Sequence, residues 1–153
     1  MKQLMSQLGK RILFFDGAMG TLLQREGLAP GQAPESWNLT HPDTIRAIHR
    51  DYLRAGCDIV KANTFGGNPL KLAEAGLCPA EVVTAGVRLA REAVEAEGHG
   101  WVALDMGPTG RLLQPMGDLS FDEAVEAYAQ MVRDGVAAGA DCCLIETMSD
   151  TLE

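Results

Sequence analysis

The chain has 153 residues and a formal net charge of −8, with 13 basic residues scattered among 21 acidic ones. This charge excludes a basic patch for a phosphodiester backbone, so no nucleic-acid partner is predicted. No apolar run approaches the ~18 residues of a membrane span, and the polar start is too short for a signal segment, so a soluble, cytoplasmic chain without membrane contact is expected.

The first quarter of the chain predicts a helix, a strand and a second helix before an irregular stretch. Residues 1–10 form the predicted leading helix, and the apolar run at 12–16 predicts a first strand that closes on a carboxylate. A glycine-containing turn then leads into a helix near 19–26. Residues 27–39 are rich in Gly, Pro and Ala, which predicts a linker.

An amphipathic helix and a second strand follow the linker. Thr40 is the predicted N-cap, and the helix runs to Ala55 with His49 on its outward, polar face. Asp58 then opens a second apolar run, which stops at Asn63 and is followed by Thr64.

The second half of the chain continues the alternation of helices and strands. Gly86 lies inside one of its helices and costs ~1 kcal/mol relative to Ala, which indicates a close contact there. The predicted elements are helices at 68–75, 79–97 and 120–139, strands at 101–105 and 142–147, and a helix start at 149–151.

An internal repeat organises these elements. Segment 55–64 recurs at 138–147 with Ala, Gly, Asp and Thr in register, and the runs at 12–16 and 101–105 both end in Asp before a loop with two glycines. Strands joined by helical crossovers predict a parallel sheet, either doubly wound or closed into a barrel. The match between alternate strands favours a barrel, and four strand–helix units over 11–153 are half of the eight that a barrel of about 250 residues needs.

Six motifs in series resemble the homocysteine-binding domain of cobalamin-dependent methionine synthase, a (β/α)8 TIM-type barrel. They are DGAMGT at 16–21, ESWN at 35–38, HP at 41–42, ANTFG at 62–66, GPTG at 107–110 and IET at 145–147. The resemblance covers essentially the whole chain and implies that 1–153 is the N-terminal half of that barrel. The same motifs fit, less closely, the betaine- and S-methylmethionine-dependent homocysteine methyltransferases.

The resemblance implies an amino-acid site at the strand ends. Asp16 and Glu146 would flank the ammonium of homocysteine, and the turn at Gly17 would offer backbone N–H groups to its carboxylate. Thr64 carries an implied substrate-binding role, and Asn63 is a further candidate.

Several other polar residues receive an assignment. Asp105, at the end of the third strand, is a further substrate-binding candidate, whereas Asp58 and Asp141 begin strands at the opposite, stability face of a barrel. Lys61 is expected to extend from the sheet edge or the helix-facing side.

The pair Cys142-Cys143 is expected to be free core thiols and not a metal site. Successive strand residues point to opposite faces, and zinc needs three or four convergent ligands. The family's zinc cysteines lie in later strands, so zinc and methylcobalamin are expected only in the intact enzyme, and none is expected on this chain alone.

The functional prediction is that this chain is the homocysteine-binding part of an enzyme that moves a methyl group from methylcobalamin to homocysteine sulfur, giving methionine. The fragment alone is expected to be inactive. Its expected partners are the remaining barrel half and the cobalamin and folate modules. The alternatives are a stand-alone half barrel that binds an amino acid or self-associates through exposed sheet edges, and a betaine- or S-methylmethionine-dependent methyltransferase.

Overall fold

The computed structural model describes residues 2–148 and 150–153, which form an α/β fold with helices around a parallel sheet. A short 3₁₀ helix at Pro34–Ser36 precedes α3. The helices are α1 Lys2–Met5, α2 Met19–Arg25, α3 Trp37–Thr40, α4 Pro42–Arg54, α5 Pro69–Glu74, α6 Pro79–Glu97 and α7 Phe121–Ala138, and the strands are β1 Ile59–Lys61, β2 Trp101–Met106 and β3 Cys142–Ile145.

The sheet has the order β1-β2-β3, and both pairings are parallel. Ile59 pairs with Trp101 in the first ladder, and Ala103 pairs with Cys142 in the second. Each crossover contains a long helix, as parallel strands require. The strands therefore end at the same edge, where the polar residues singled out in the sequence come together.

The main core lies between the sheet and the helices α4, α6 and α7. Alternate strand residues such as Val60, Val102 and Leu104 are fully buried there against Val83 and Val87 of α6. The other face of the sheet has a smaller apolar cluster, built from Leu4, Ile59 and Ala103 with the half-buried neighbours Leu13, Trp101, Cys142 and Leu144. The period-two alternation thus separates a helix-facing side from an inner side.

The ends of α6 and α7 follow the sequence signals. The Ser120–Glu123 capping box at the start of α7 is confirmed, with the Ser120 hydroxyl accepting from the Glu123 N–H and the Glu123 carboxylate accepting from the Ser120 N–H. Gly98 and Gly139 end the two helices in the left-handed conformation, at φ 74° and 106°.

The first predicted strand is reduced to a single bridge between Phe15 and Ile59. The segment lies beside β1, because the Phe14 carbonyl accepts from Ile59 N–H and the Asp16 N–H donates to the Ile59 carbonyl. Ile12 and Phe14 are 75% and 61% exposed. Only this one bridge joins the edge segment to β1, so the described residues form three strands where four were predicted.

The prediction around the linker was wrong in two details. Residues 27–39 contain the 3₁₀ helix and most of α3 and are not wholly irregular. His41 and not Thr40 is the N-cap of α4, with no side-chain cap bond, because the Thr40 hydroxyl donates to the Ser36 carbonyl and closes the preceding turn.

His49 is fully buried, contrary to its predicted outward position. Neither ring nitrogen has a hydrogen-bond partner among the described residues, and burial lowers the pKa of His49 to about 4. The packing of α6 against α4 covers this face, so His49 is neutral at physiological pH.

The terminal segments also differ from expectation. The leading helix ends at Met5 and is followed by turns to Lys10. The predicted helix start at 149–151 falls partly on Ser149, outside the described residues, and 150–153 are not helical. Within the described ranges, no helix is long and apolar enough to cross a membrane.

Candidate functional site

A cavity of about 590 Å³ opens at the C-terminal ends of the strands. Lys61 is the last residue of β1, Asp105 is next to last in β2, and Glu146 directly follows β3. All three line the cavity, together with 17–21, 33–35, 62–66, Lys71 and Leu72. The parallel topology brings Lys61, Asp105 and Glu146 together, because the three strands end on the same side of the sheet.

Asp16 lies near the same C-terminal ends of the strands, although it is not among the residues that line the cavity. Its Oδ2 accepts a hydrogen bond of 3.0 Å from the Lys61 N–H, and its Oδ1 is buried without a partner among the described residues. Burial raises the pKa of Asp16 to about 7, with a smaller contribution from the charge of Glu146. The carboxyl therefore changes charge near neutrality.

Asp105 is 6% exposed, and its Oδ1 has no hydrogen-bond partner in the described structure. Burial raises the pKa of Asp105 to about 7. The charge of Glu146, the charge of Asp16 and a side-chain hydrogen bond with Glu146 raise it further, while the charge of Lys61 lowers it. A buried acceptor without a donor is costly, and such groups are concentrated at functional sites. The sequence had offered Asp105 only as a further candidate, yet it is the most deeply buried carboxyl of this cluster.

Glu146 and Lys61 form an ion pair across the cavity. The distance from Lys61 Nζ to Glu146 Oε1 is 3.6 Å, and the side chains are 20% and 34% exposed, respectively. Lys61 is two residues after Ile59 on β1, and Ile59 faces the inner side of the sheet. Because alternate strand residues share a face, the Lys61 side chain also projects to the inner side. The prediction that it points to the sheet edge or to the helices was wrong, because its helix-facing neighbours are Val60 and Ala62.

Thr64 is fully buried and lines the cavity. Its hydroxyl donates to the Asp105 carbonyl at 2.9 Å and accepts from the Asp105 N–H at 3.1 Å. The side chain thus continues the β1–β2 pairing beyond the last ladder residue and holds the backbone of Asp105. Its substrate-binding role stays a prediction.

Asn63 lines the cavity and belongs to a buried amide network. Its Nδ2 donates to the Pro34 carbonyl and to Asn38 Oδ1, each at 2.9 Å, and its own carbonyl accepts from Asn38 Nδ2. A methyl group on Gly86 would lie 2.6 Å from Asn38 Nδ2, so the close contact predicted at this glycine is present. These bonds fasten the linker to the end of β1.

Gly17 and Gly66 allow close approaches at the cavity wall. A Cβ on Gly17 would lie 2.8 Å from the Tyr52 hydroxyl oxygen. The N–H of Gly66 donates to Glu35 Oε1 at 2.6 Å, and Glu35 is 4% exposed. In the sequence, Glu35 was noted only as part of the ESWN motif. Its position near Trp37 in an apolar context could have marked it as a buried carboxylate, which needs a hydrogen-bond donor.

The described residues do not form a zinc site. No group of three or more His, Cys, Asp and Glu side chains within residues 2–148 and 150–153 could hold a metal ion. Cys57 is buried at the start of β1, Cys78 is exposed before α6, and Cys142 and Cys143 alternate on β3. The expectation that both β3 cysteines are core residues was wrong for Cys143, which is exposed because no described element covers the helix-facing side of this edge strand.

The two strand-opening aspartates have the structural role predicted for them. Asp58 Oδ2 accepts from the Phe14 N–H, and Asp141 Oδ2 accepts from the Val102 N–H, each at 2.9 Å. Both lie at the end of the sheet opposite the cavity and pair with Arg11 and Arg91, respectively.

Comparison with known proteins places this architecture in a family. A family model described as homocysteine S-methyltransferase matches residues 13–153. Among solved structures, the homocysteine methyltransferase MmuM from Escherichia coli is similar in its metallated form, with 26% identity and a TM-score of 0.84 over 97% of this chain and 58% of that one. Its oxidized form gives 28% identity and a TM-score of 0.78 over 92% and 55%, respectively.

The chain therefore spans a little over half the length of the solved relatives, with a three-stranded parallel sheet similar to part of their barrel fold. The family model covers nearly all of its residues. On this evidence the chain belongs to the homocysteine S-methyltransferase family.

Proposed function

We propose that this chain is the homocysteine-binding portion of a homocysteine S-methyltransferase, and that the carboxyl cluster Asp16, Asp105 and Glu146 receives the ammonium of the amino acid. The observation that carries the proposal is the buried, unpartnered Oδ1 of Asp105 at the wall of a cavity that Glu146 also lines. An ammonium group would supply the missing donor, and it would favour the ionised form of carboxyls whose pKa burial has raised.

The chemistry of this half is binding and orientation. In the intact enzyme a bound metal would activate the thiol, but the described residues do not fit a metal. Thr64 and the Asn38–Asn63 network hold the strand ends that carry the carboxyls. The chain therefore fixes one end of homocysteine, and the methyl transfer itself requires residues beyond those described.

The remaining features of the enzyme are part of the same proposal. Methylcobalamin is the proposed methyl donor, because the six sequence motifs match the methionine synthase pattern more closely than those of the betaine- and S-methylmethionine-dependent enzymes. The remaining half of a barrel is the proposed partner of the sheet, supported by the 58% coverage of the solved relative. The isolated chain is expected to lack methyltransferase activity.

Calorimetric titration of the chain with homocysteine tests the site. Asp16→Asn and Glu146→Gln each keep the shape of the side chain but remove a negative charge. Loss of a charge-assisted hydrogen bond costs roughly 1.5–3 kcal/mol, so each variant should bind about ten- to a hundredfold more weakly. The double variant should lose less than the sum, because both carboxylates share one cation.

Glu126→Gln provides a matched control, since Glu126 is an exposed residue of α7 paired with Arg133. Its affinity for homocysteine should equal that of the parent chain. A ligand that lacks the amine, 4-mercaptobutanoate, should bind more weakly than homocysteine to the parent and should not distinguish the variants. Unchanged homocysteine affinity in both single variants would mean that these carboxylates are structural.

A second candidate, a self-associating half barrel, is favoured by one observation. Phe14 and Ile145, on segments at the two edges of the sheet, are 61% and 65% exposed. Exposed apolar edges are templates for pairing with another chain. The isolated chain is expected to self-associate under either candidate, and this candidate differs from the first in requiring no homocysteine for its role.

A further inference from the structure

The ammonium of Lys61 already lies among the carboxyls that would bind the ligand ammonium. Lys61 lies on β1 and Glu146 follows β3, so their ion pair spans the intervening strand β2, which carries Asp105. The backbone N–H of Lys61 also holds Asp16 Oδ2. Lys61 thus connects the C-terminal ends of β1 and β3 on the inner side of the sheet.

The contact between Lys61 and Glu146 is loose. At 3.6 Å, the Nζ–Oε1 distance exceeds the roughly 2.7–2.9 Å of a charge-assisted hydrogen bond. Asp105 Oδ1, 6% exposed at the cavity wall, remains without a donor even though Lys61 is near enough for its charge to act on Asp105. Lys61 therefore supplies positive charge to the carboxyl cluster but does not donate a hydrogen bond to Asp105 Oδ1.

We propose that Lys61 is a tethered competitor for the ammonium subsite: it occupies the carboxyl cluster when the site is empty and must be displaced when an amino acid binds. The proposal rests on the assignment of this cluster to the ligand ammonium. Lys61 is then a specificity-determining residue, because a ligand without an ammonium cannot replace it. The entering ammonium exchanges one cation for another and leaves the net charge of the cluster nearly unchanged.

The opposite arrangement, in which Lys61 binds the ligand carboxylate, is less consistent with its position. The ionisable groups facing Lys61 are Asp16 from the edge segment, Asp105 from β2, Glu146 after β3 and Tyr52 from α4. A ligand carboxylate beside Lys61 would have to approach three acidic groups. Lys71, which lines the same cavity above the Phe65 ring, is a cation farther along the wall.

The substitution Lys61→Met tests the proposal, since Met keeps an unbranched side chain but has no charge. The affinity for homocysteine at about pH 8 should rise about fivefold, the upper range for a partly exposed ion pair. The gain should be smaller near pH 6, where protons on the carboxyls take the place of the lost cation. Lys10→Met, which removes an exposed charge elsewhere, should leave the affinity unchanged.

A second measurement does not require a ligand. Carbon-13 NMR titration of the carboxyl groups in the empty chain should show higher pKa values for Asp16 and Asp105 in Lys61→Met than in the parent, because the favourable charge is gone. Lys10→Met should not change them. Equal titration curves in the parent and Lys61→Met would overturn the placement of Lys61 within the cluster.

The two measurements separate the possible failures. Weaker homocysteine binding by Lys61→Met would overturn the proposal and assign Lys61 to the ligand carboxylate, and unchanged binding would overturn it as well. If neither form bound homocysteine while the carboxyl pKa values still rose, the proposed function would fail. The displacement step would fail with it, leaving Lys61 as an internal counter-ion.

Discussion

Replacing Asp105 by Asn should stabilise the chain, by an amount that depends on pH. In the folded chain the pKa of Asp105 is about 7, against an ordinary value of 3.8. The folded state therefore binds this proton more tightly than the unfolded state does. The contribution of Asp105 to the free energy of unfolding is largest in acid and falls as the pH rises from about 4 to about 7.

The magnitude follows from the size of the shift. About three pKa units at about 1.4 kcal/mol each give a penalty of roughly 4 kcal/mol above neutrality, an upper value because Asp105 is coupled to Asp16, whose pKa burial also raises. Asp105→Asn removes the ionisable group at nearly constant volume. The variant should gain up to about 4 kcal/mol of unfolding free energy at about pH 8, and little at about pH 4.

Urea unfolding followed by tryptophan fluorescence measures this difference, because Trp37 is buried in the folded chain. The parent and Asp105→Asn are compared at several values between about pH 4 and pH 8, so that other titrating groups cancel in the difference. Asp118→Asn is the control, since Asp118 is 79% exposed and its pKa is lowered by Arg111. Its effect should be small and of opposite sign.

A stability difference between the parent and Asp105→Asn that did not change with pH would refute the reasoning. It would mean that Asp105 ionises as freely in the folded chain as in the unfolded one. The buried Oδ1 would then have a compensating donor, and its use as an acceptor for a ligand ammonium would lose its physical basis.

Three further outcomes are expected. Gly86→Ala should lower the unfolding free energy by about 1–3 kcal/mol because its methyl group would meet Asn38, whereas Gly20→Ala, with open space around it, should not, as urea titrations would show. The purified chain should hold no stoichiometric zinc after dialysis; one tightly bound zinc, lost on mutation of Cys142 or Cys143, would contradict this. The chain should also self-associate through its exposed sheet edges, and a compact monomer at all concentrations in light scattering would count against the half-barrel interpretation.

The sequence by itself was sufficient for the alternation of helices and strands and for the ends of the longest helices. Those features depend on local signals: the capping box at Ser120, the glycine at position 139 and the hydrophobic period of each segment. The helical crossovers between strands also predicted a parallel sheet, which the two strand pairings confirm. Family membership followed from six motifs in order, and the family model confirms it.

The tertiary structure decided which polar groups meet and which are left without partners. Lys61 was misplaced because its direction depends on which face of β1 the helices cover, a property of packing between distant segments. His49 was misplaced for the same reason, since it is buried only once α4 packs against the neighbouring elements, among them α6. The first strand was overestimated, because its apolar run lies beside β1 but forms only a single bridge with it. The three carboxyls at the cavity are far apart in the chain, and their shared burial, which raises the pKa of Asp16 and Asp105, exists only once the strands lie side by side.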